Sequence, residues 1–592
     1  MTEMIKGGAF LVSRVPPERI FTPEDFTDLH SMVADTVRRF ITEKVYPVFS
    51  PMEEMKENIM VGLMRQAGDL GLLGSDIPET YGGVGADKIT SLIVTEEVTR
   101  GGSFAAAFGA HTGIGTLPIL FFGNEEQKNR YLPDLATGRK LAAYALTEPE
   151  AGSDALNIRT KAVLSGDGKH YILNGSKQYI TNAGWADVIV TYARVDGRHF
   201  TAFIVDRATS GVSVGPEEKK MGIKGSSTCS VVFEDAMIPV ENLLWQVGKG
   251  HQVAFNILNI GRFKLGVGCV GAAKYLIELT SRYAQERRQF NQPIAQFPLI
   301  KNKIADMAIR TYVMESMCYR TGGLIQNLID TFDMDGEDSG QKVAEGIQEY
   351  ATECSAVKVY GSEALDFIAD EALQIHGGYG YSQEYAVEHI YRDSRINRIF
   401  EGTNEINRLI IPATLLRKAQ KGEIALIEAA MRLQEELLYP LLPEEGNSPL
   451  AWETGAVENL KKVFLLTAGT AVQKYGEKIA GQQEILARLA DMVIEILGVE
   501  SAVLRAGKLC AARGEEAAEP AMMMASCYLR QLIPQFEIWG KEVAAAMEEG
   551  DTMRTLVAAL RKLSRFELQD IFIMKRRIAD AIYEGKGMWK VR

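Results

Sequence analysis

The chain has 592 residues and 46% hydrophobic composition, more than a single core holds, so two to four domains are expected. A net charge of -12 and a pI near 5.4 argue against a nucleic-acid surface, while leaving room for a local basic rim that takes an anionic small molecule. The six cysteines (229, 269, 318, 354, 510 and 527) form no CxxC pair, which excludes a thiol redox motif or a zinc cluster and fits a reducing, cytoplasmic compartment.

The N-terminal MTEMIKGGAFLVSRV lacks the form of a signal peptide, and no uninterrupted apolar run reaches the ~18 residues of a membrane span. A helix start is read at Thr22, Pro23, Glu24 and Asp25, and apolar residues then recur at spacings of three and four, predicting an α-helical domain over 1–140. From 141 to 245 the segments turn short, β-branched or aromatic (AAYAL, HYILNG, ADVIVTYARV, HFTAFIVD, CSVVFEDAMI), with hairpin turns at SGDGK and VDGR. This predicts a β domain. Helical periodicity returns over 246–435, and YPLLPEEGNSPL at 439–450 reads as a boundary before a further all-helical segment, 451–592. The fold class is therefore α+β multidomain. No GxGxxG follows a strand, and Walker A, HExxH and GxSxG motifs are absent.

Several polar constellations interrupt these elements. In LAAYALTEPEAGSD, Thr147 and Ser153 flank a tight turn at a strand end, either an ordinary β-turn or a set of donors for a phosphate or ring edge. In SKQYITNAGWAD, Tyr179 and Thr181 lie two apart on one strand, so a ring could stack on one while the other donates. QERRQFNQPIAQF brings Arg287 beside Phe290, and LQIHGGYGYSQEY places Gln374 just before Gly377 and Gly378. His376 is either a base or a hydrogen-bonded structural residue. RIFEGTNEINRLI sets one carboxylate, Glu401, between apolar Ile399 and Phe400 and the pair Gly402 and Thr403. Alone, that is a loop acid beside a helix cap.

Together, LTEPEAGSD, KQYITNAGWAD, KKMGIKGSSTCSVVFEDAMIP, YAQERRQFNQPI, QIHGGYGY and YRDSRINRIFEGTNEINRLI resemble the acyl-CoA dehydrogenase family in order and spacing from about 25 to 425. The resemblance implies an N-terminal helical domain, a β-barrel-like middle domain and a C-terminal helical bundle, with FAD as cofactor. The implied reaction is α,β-dehydrogenation of an acyl-CoA, with electrons passed to electron-transferring flavoprotein. Glu401 falls where most members carry the catalytic base. The isovaleryl and long-chain types draw theirs from the helix that here reads FNILNIGRF, where Ile260 and Gly261 offer no acid. Arg262 matches an arginine near the substrate end of that helix. Thr147, Ser153, Tyr179 and Thr181 match flavin contacts, Thr403 and Glu405 lie beside the cofactor's phosphate and adenosine portion, and Arg287, Phe290, Gln374 and Gly378 match the part supplied by a neighbouring subunit.

Ala106 and Ala110 stand where medium-chain members place large polar side chains, which implies a deeper tunnel and a long acyl chain. The 451–592 extension resembles the additional helical domain of the very-long-chain type, implying a homodimer, and its stretch RKLSRFELQDIFIMKRRIADAI either makes peripheral contact with the inner face of the membrane or packs on the core. Three further readings stay open: a dehydrogenase of branched or modified acyl-CoA, an acyl-CoA oxidase, and a non-catalytic assembly protein on the same fold.

Overall fold

A computed structural model describes residues 4–333, 336, 339–437 and 449–585. The TPED sequence closes a short 3-10 turn, Pro23–Asp25, through reciprocal Thr22 and Asp25 hydrogen bonds. The first long helix starts later than the sequence predicts, at Asp28–Phe40, because Thr27 supplies a second cap and accepts from the His30 N–H. Further helices lead to Glu125–Ala136, and the chain then enters the sheet.

Eight strands form that sheet: β1 (Ala142–Ala145), β2 (Lys161–Leu164), β3 (His170–Thr181), β4 (Val188–Val195), β5 (His199–Asp206), β6 (Val212–Val214), β7 (Thr228–Pro239) and β8 (Leu243–Leu244). Their order is β6-β7-β3-β2-β4-β5-β8, with β1 pairing parallel to β4. The SGDGK and VDGR turns join the antiparallel pairs β2–β3 and β4–β5. The register of β3 against β7 shifts between Lys177 and Ile180, and this bulge carries Tyr179 in the left-handed region at φ 60°. Buried Lys177 donates to Glu148 at 2.7 Å, pinning the TEPEAGSD turn onto β3.

The helix Gly250–Glu286 is the spine of the molecule. A Cβ at its Gly271 would fall 1.8 Å from the Glu96 carbonyl oxygen, so glycine is what lets this helix lie directly on Lys88–Val98. Pro298–Ile329 and Ala351–His376 pack beside it, with most of their residues buried. Ser103–Phe122 and Gly250–Glu286 are long and apolar enough to cross a bilayer, which the sequence reading does not anticipate. Each buries most of its apolar window inside the protein (78% and 72%), as core helices do.

Among the described residues, five α-helices make up the C-terminal region: Ala451–Tyr475, Gln483–Arg513, Glu515–Met547, Gly550–Leu563 and Ile571–Glu584. The boundary read at 439–450 lies mostly outside the described residues; the helix before it, Leu426–Glu436, joins Ala451–Tyr475 through Glu436 and Lys462 at 3.1 Å. Buried ion pairs fasten this region to the rest. Arg505 reaches both Glu24 and Glu315 at 2.7 Å, and Glu500 pairs with Arg320 at 2.7 Å, while its 2.5 Å pair with Lys461 joins two helices within the region. Met524 is buried and Met522 and Met523 pack against the core, so the methionine run fills space.

Candidate active site

Glu401 sits on the loop between the 3-10 turn Arg395–Arg398 and the helix Asn404–Gln420. Its φ of 57° is left-handed, a strained conformation for a residue with a Cβ, and the surroundings hold it there. Arg262 Nε donates to the Glu401 carbonyl at 3.3 Å, and buried Lys358 Nζ donates to the Gly402 carbonyl at 2.8 Å and to Asn404 Oδ1 at 2.6 Å. Asn407 Nδ2 reaches the Gly402 and Thr403 carbonyls at 2.9 and 3.0 Å. Thr403 caps the helix, accepting from the Ile406 N–H.

The Glu401 side chain turns inward, and its Oε2 is buried without a hydrogen-bond partner among the described residues. A Cβ on Gly261 would lie 2.6 Å from that oxygen, so the position that lacks an acid also has to lack a side chain. Burial pushes the Glu401 carboxyl up to about 7, against the opposing pull of Arg262 and Lys358. Burial likewise pushes the Lys358 ammonium down to about 8.

The carboxyl heads a cavity of about 230 Å³. One wall is a stripe of Gly250–Glu286 at helical spacing: Gly261, Lys264, Leu265, Gly268, Cys269, Ala272 and Tyr275. The opposite wall is Ala105, Ala106, Gly109, Ala110 and Gly113, and Cβ atoms on Gly109 and Gly113 would meet nothing within 4 Å. His389, Ile390, Asp393 and Phe400 close a third side, and the far end carries Tyr275, beneath the Arg100 guanidinium at 5.4 Å. A carboxyl titrating near neutrality at the head of a mostly apolar tunnel can take a proton from a substrate whose apolar chain the tunnel covers.

Of the sequence-derived candidates, Glu401, Ala106, Ala110 and Thr181 line this cavity, and Arg262 holds the base loop from behind. Thr147 accepts from the Gln178 N–H at 2.9 Å, which sets it next to Tyr179, while Ser153 and Glu405 are exposed. Arg287, Phe290, Gln374 and Gly378 stand apart from the cavity; Arg287 lies 5.3 Å from the Tyr379 ring, and Phe290 is 88% exposed with φ 50°. His376 is structural: Nδ1 bonds the Ala372 carbonyl at 2.7 Å and the ring stacks on Tyr283 at 4.1 Å. Ile399 and Phe400, apolar in the sequence, are 48% and 37% exposed on the loop that carries Glu401, with Phe400 lining the cavity. Lys358 escapes motif reading, although a lysine inside the otherwise small and apolar ECSAVKVYGS already requires a partner.

The chain matches the N-terminal, middle and C-terminal domains of acyl-CoA dehydrogenases at residues 27–139, 143–236 and 248–416, and a further acyl-CoA dehydrogenase C-terminal domain at 459–562. It is 53% identical over 582 residues to a probable acyl-CoA dehydrogenase of Bacillus subtilis, covering 98% of each chain. The human very long-chain specific acyl-CoA dehydrogenase is 33% identical over 622 residues, with 98% of this chain and 87% of that protein covered. An acyl-CoA dehydrogenase from Bacillus anthracis, solved in complex with FAD, superposes with a TM-score of 0.97 at 51% identity, covering 98% of this chain and 99% of that one. The chain belongs to the acyl-CoA dehydrogenase family of FAD-dependent enzymes.

The residues fit that cofactor. Tyr179 leaves 60% of its surface exposed on a left-handed bulge, a ring with little to stack on in its own chain, and Thr181 brings a hydroxyl to the cavity beside it. A Cβ on Gly152 would meet nothing within 4 Å, so the TEPEAGSD turn is open to a ligand.

Proposed function

We propose that this enzyme oxidises long-chain acyl-CoA to trans-2-enoyl-CoA in fatty-acid β-oxidation, with Glu401 removing the α-proton and electrons passing to electron-transferring flavoprotein. Thr147, Ser153, Tyr179, Thr181, Thr403 and Glu405 would hold FAD, which supplies the acceptor for the β-hydrogen. Removing a weakly acidic α-proton asks for a carboxylate of raised basicity, and burial gives Glu401 that. Among the described residues no group accepts from the Glu401 N–H, which leaves this donor for the thioester oxygen as negative charge develops there.

One observation carries the chain-length reading. The cavity stripe runs from Gly261 to Tyr275, fourteen residues of one helix, or ~21 Å at ~1.5 Å per residue. An extended chain of ~1.5 Å C–C bonds advances ~1.25 Å per carbon, so the tunnel takes about 16 carbons. Reduction of the bound flavin by straight-chain acyl-CoA from butyryl to eicosanoyl, and by isovaleryl-CoA, tests the whole reading. Activity is expected to peak near palmitoyl-CoA and to disappear in Glu401→Gln. A maximum with isovaleryl-CoA selects the branched-substrate alternative, and FAD-loaded protein that no thioester reduces selects the assembly role.

Arg287 follows Gly261 by 26 residues, ~39 Å at the helical rise, beyond the reach of one extended dinucleotide bound beside Glu401. This supports a homodimer in which Arg287, Phe290, Gln374 and Gly378 complete the partner's FAD site. Exposed Leu568, Phe572 and Ile573 with Arg565, Arg576 and Arg577 support peripheral contact with the cytoplasmic face of the membrane.

A further inference from the structure

We propose that Asp491, on the C-terminal helix Gln483–Arg513, is a positioning residue for the catalytic loop: through Arg408, Glu363, Asn404 and Lys358 it holds the backbone around Glu401. The proposal rests on Glu401 being the base. Asp491 Oδ1 accepts from Arg408 Nε at 2.7 Å, and the same guanidinium grips Glu363 with both terminal nitrogens at 2.7 and 2.9 Å. Glu363 Oε1 accepts from Asn404 Nδ2 at 2.9 Å, Asn404 Oδ1 accepts from Lys358 Nζ at 2.6 Å, and Lys358 Nζ ends on the Gly402 carbonyl at 2.8 Å. Every link is a charged or amide group bonded on both sides. Asn404 and Lys358 are buried, so breaking a link strands a polar group away from water.

Arg408 is where the relay can fail. Beside it lies a cavity of about 160 Å³ lined by Arg310, Tyr360, Glu495 and Trp539. The cavity, which Arg408 and Glu363 also line, gives the guanidinium room to leave Glu363. The bond from Nε to Asp491 fixes the fork in the plane that meets Glu363 bidentately. Asp491 thus orients Arg408, Arg408 orients Glu363, and the amide of Asn404 follows. The strained peptide at Glu401 needs this over-determination.

Asp491→Asn keeps the size and removes the charge. Full-length protein loaded with FAD is expected to show kcat with palmitoyl-CoA lowered about tenfold, the scale of a small misplacement of a catalytic group, with KM within twofold. Amide hydrogen exchange over 400–404, read by mass spectrometry, is expected to quicken while that of Gln483–Arg513 stays at the parental rate. Asp491→Glu is expected to restore both, and Lys541→Gln, which breaks a Glu537 pair in the same domain, to change neither. Parental exchange over 400–404 in Asp491→Asn overturns the proposal. So does a loss accompanied by faster exchange along the whole of Gln483–Arg513, which is domain loosening. Parental turnover by Glu401→Gln would instead remove the base assignment and leave the loop-exchange result standing.

Discussion

Filling the tunnel near its far end separates chain-length selection from catalysis. Ala272 lies eleven residues along the stripe from Gly261, ~16.5 Å from the head of the site by helical rise. Ala272→Phe would close the last ~4.5 Å, space for three to four carbons at ~1.25 Å each. At ~0.8 kcal/mol per buried methylene the loss is about 3 kcal/mol, or roughly a hundredfold in kcat/KM for palmitoyl-CoA. Octanoyl-CoA ends well short of the new ring and should keep its kcat/KM within twofold. Steady-state kinetics with both thioesters, on protein whose flavin content matches the parent, give the ratio directly. If the palmitoyl-to-octanoyl ratio stays at the parental value, the acyl chain does not run along this stripe. Gly109→Leu is an independent check, since Gly109 lines the tunnel and an added Cβ there meets nothing within 4 Å.

With the folded Glu401 carboxyl near 7, log kcat/KM is expected to climb with slope one below that pH and level off above it. The charged and titratable groups facing this carboxyl are Arg262, Lys358 and Tyr144. Lys358→Met removes a cation that favours the carboxylate, so the acid limb should move to higher pH, and an unmoved limb would refute the assignment. The same shift sets a stability trend in the apoprotein. The unfolded carboxyl titrates near 4.5 and the folded one near 7, so the folded state binds more protons between them and loses roughly 3 kcal/mol as pH rises through that window. Glu401→Gln removes this loss, and urea unfolding at pH 4 and pH 8 should find it more stable than the parent only at the higher pH. Arg505→Ala leaves the carboxylate of Glu24 without its cation and Glu315 still paired with Lys274, which should cost about 3 kcal/mol in the same assay. A loss under ~1 kcal/mol would mean that the Arg505 pairs contribute little to holding the C-terminal helices.

The parts of this site that could be read in the chain are those written as local motifs. Glycine, threonine and an acid in FEGT, or an aromatic and a threonine two apart before NAG, announce themselves because loop backbone and exposed polar groups leave a local signature. The relay behind them has no such signature. Lys358, Glu363, Asn404 and Arg408 stand on two helices, and their last partner, Asp491, is 83 residues from Arg408. Each looks like an ordinary helical polar residue until the helices are packed. The same holds for Arg505, whose partners lie 481 and 190 residues away. Periodicity also places the helices better than their ends: TPED looks like a helix N-terminus, and only the second cap at Thr27 moves the start to Asp28. The exposure of Ile399 and Phe400 on the loop that carries Glu401 is encoded by no local hydrophobic pattern.

Burial alone would keep Glu401 protonated too far into the working range to act as a base, and full pairing with a cation would leave it too weak a one. The loop resolves this by its backbone. The two nearest cations are engaged elsewhere: Arg262 donates to the Glu401 carbonyl and to Asn259, and Lys358 to Gly402 and Asn404. Neither forms a salt bridge with the carboxylate, so their fields act on it from a distance and lower a pKa that burial has raised. Because those cations hold main-chain oxygens, the left-handed turn and the proton affinity of Glu401 depend on the same hydrogen bonds. Loosening the loop therefore moves the base and retunes it together, which is why Lys358→Met should show both a shifted acid limb and a lower plateau.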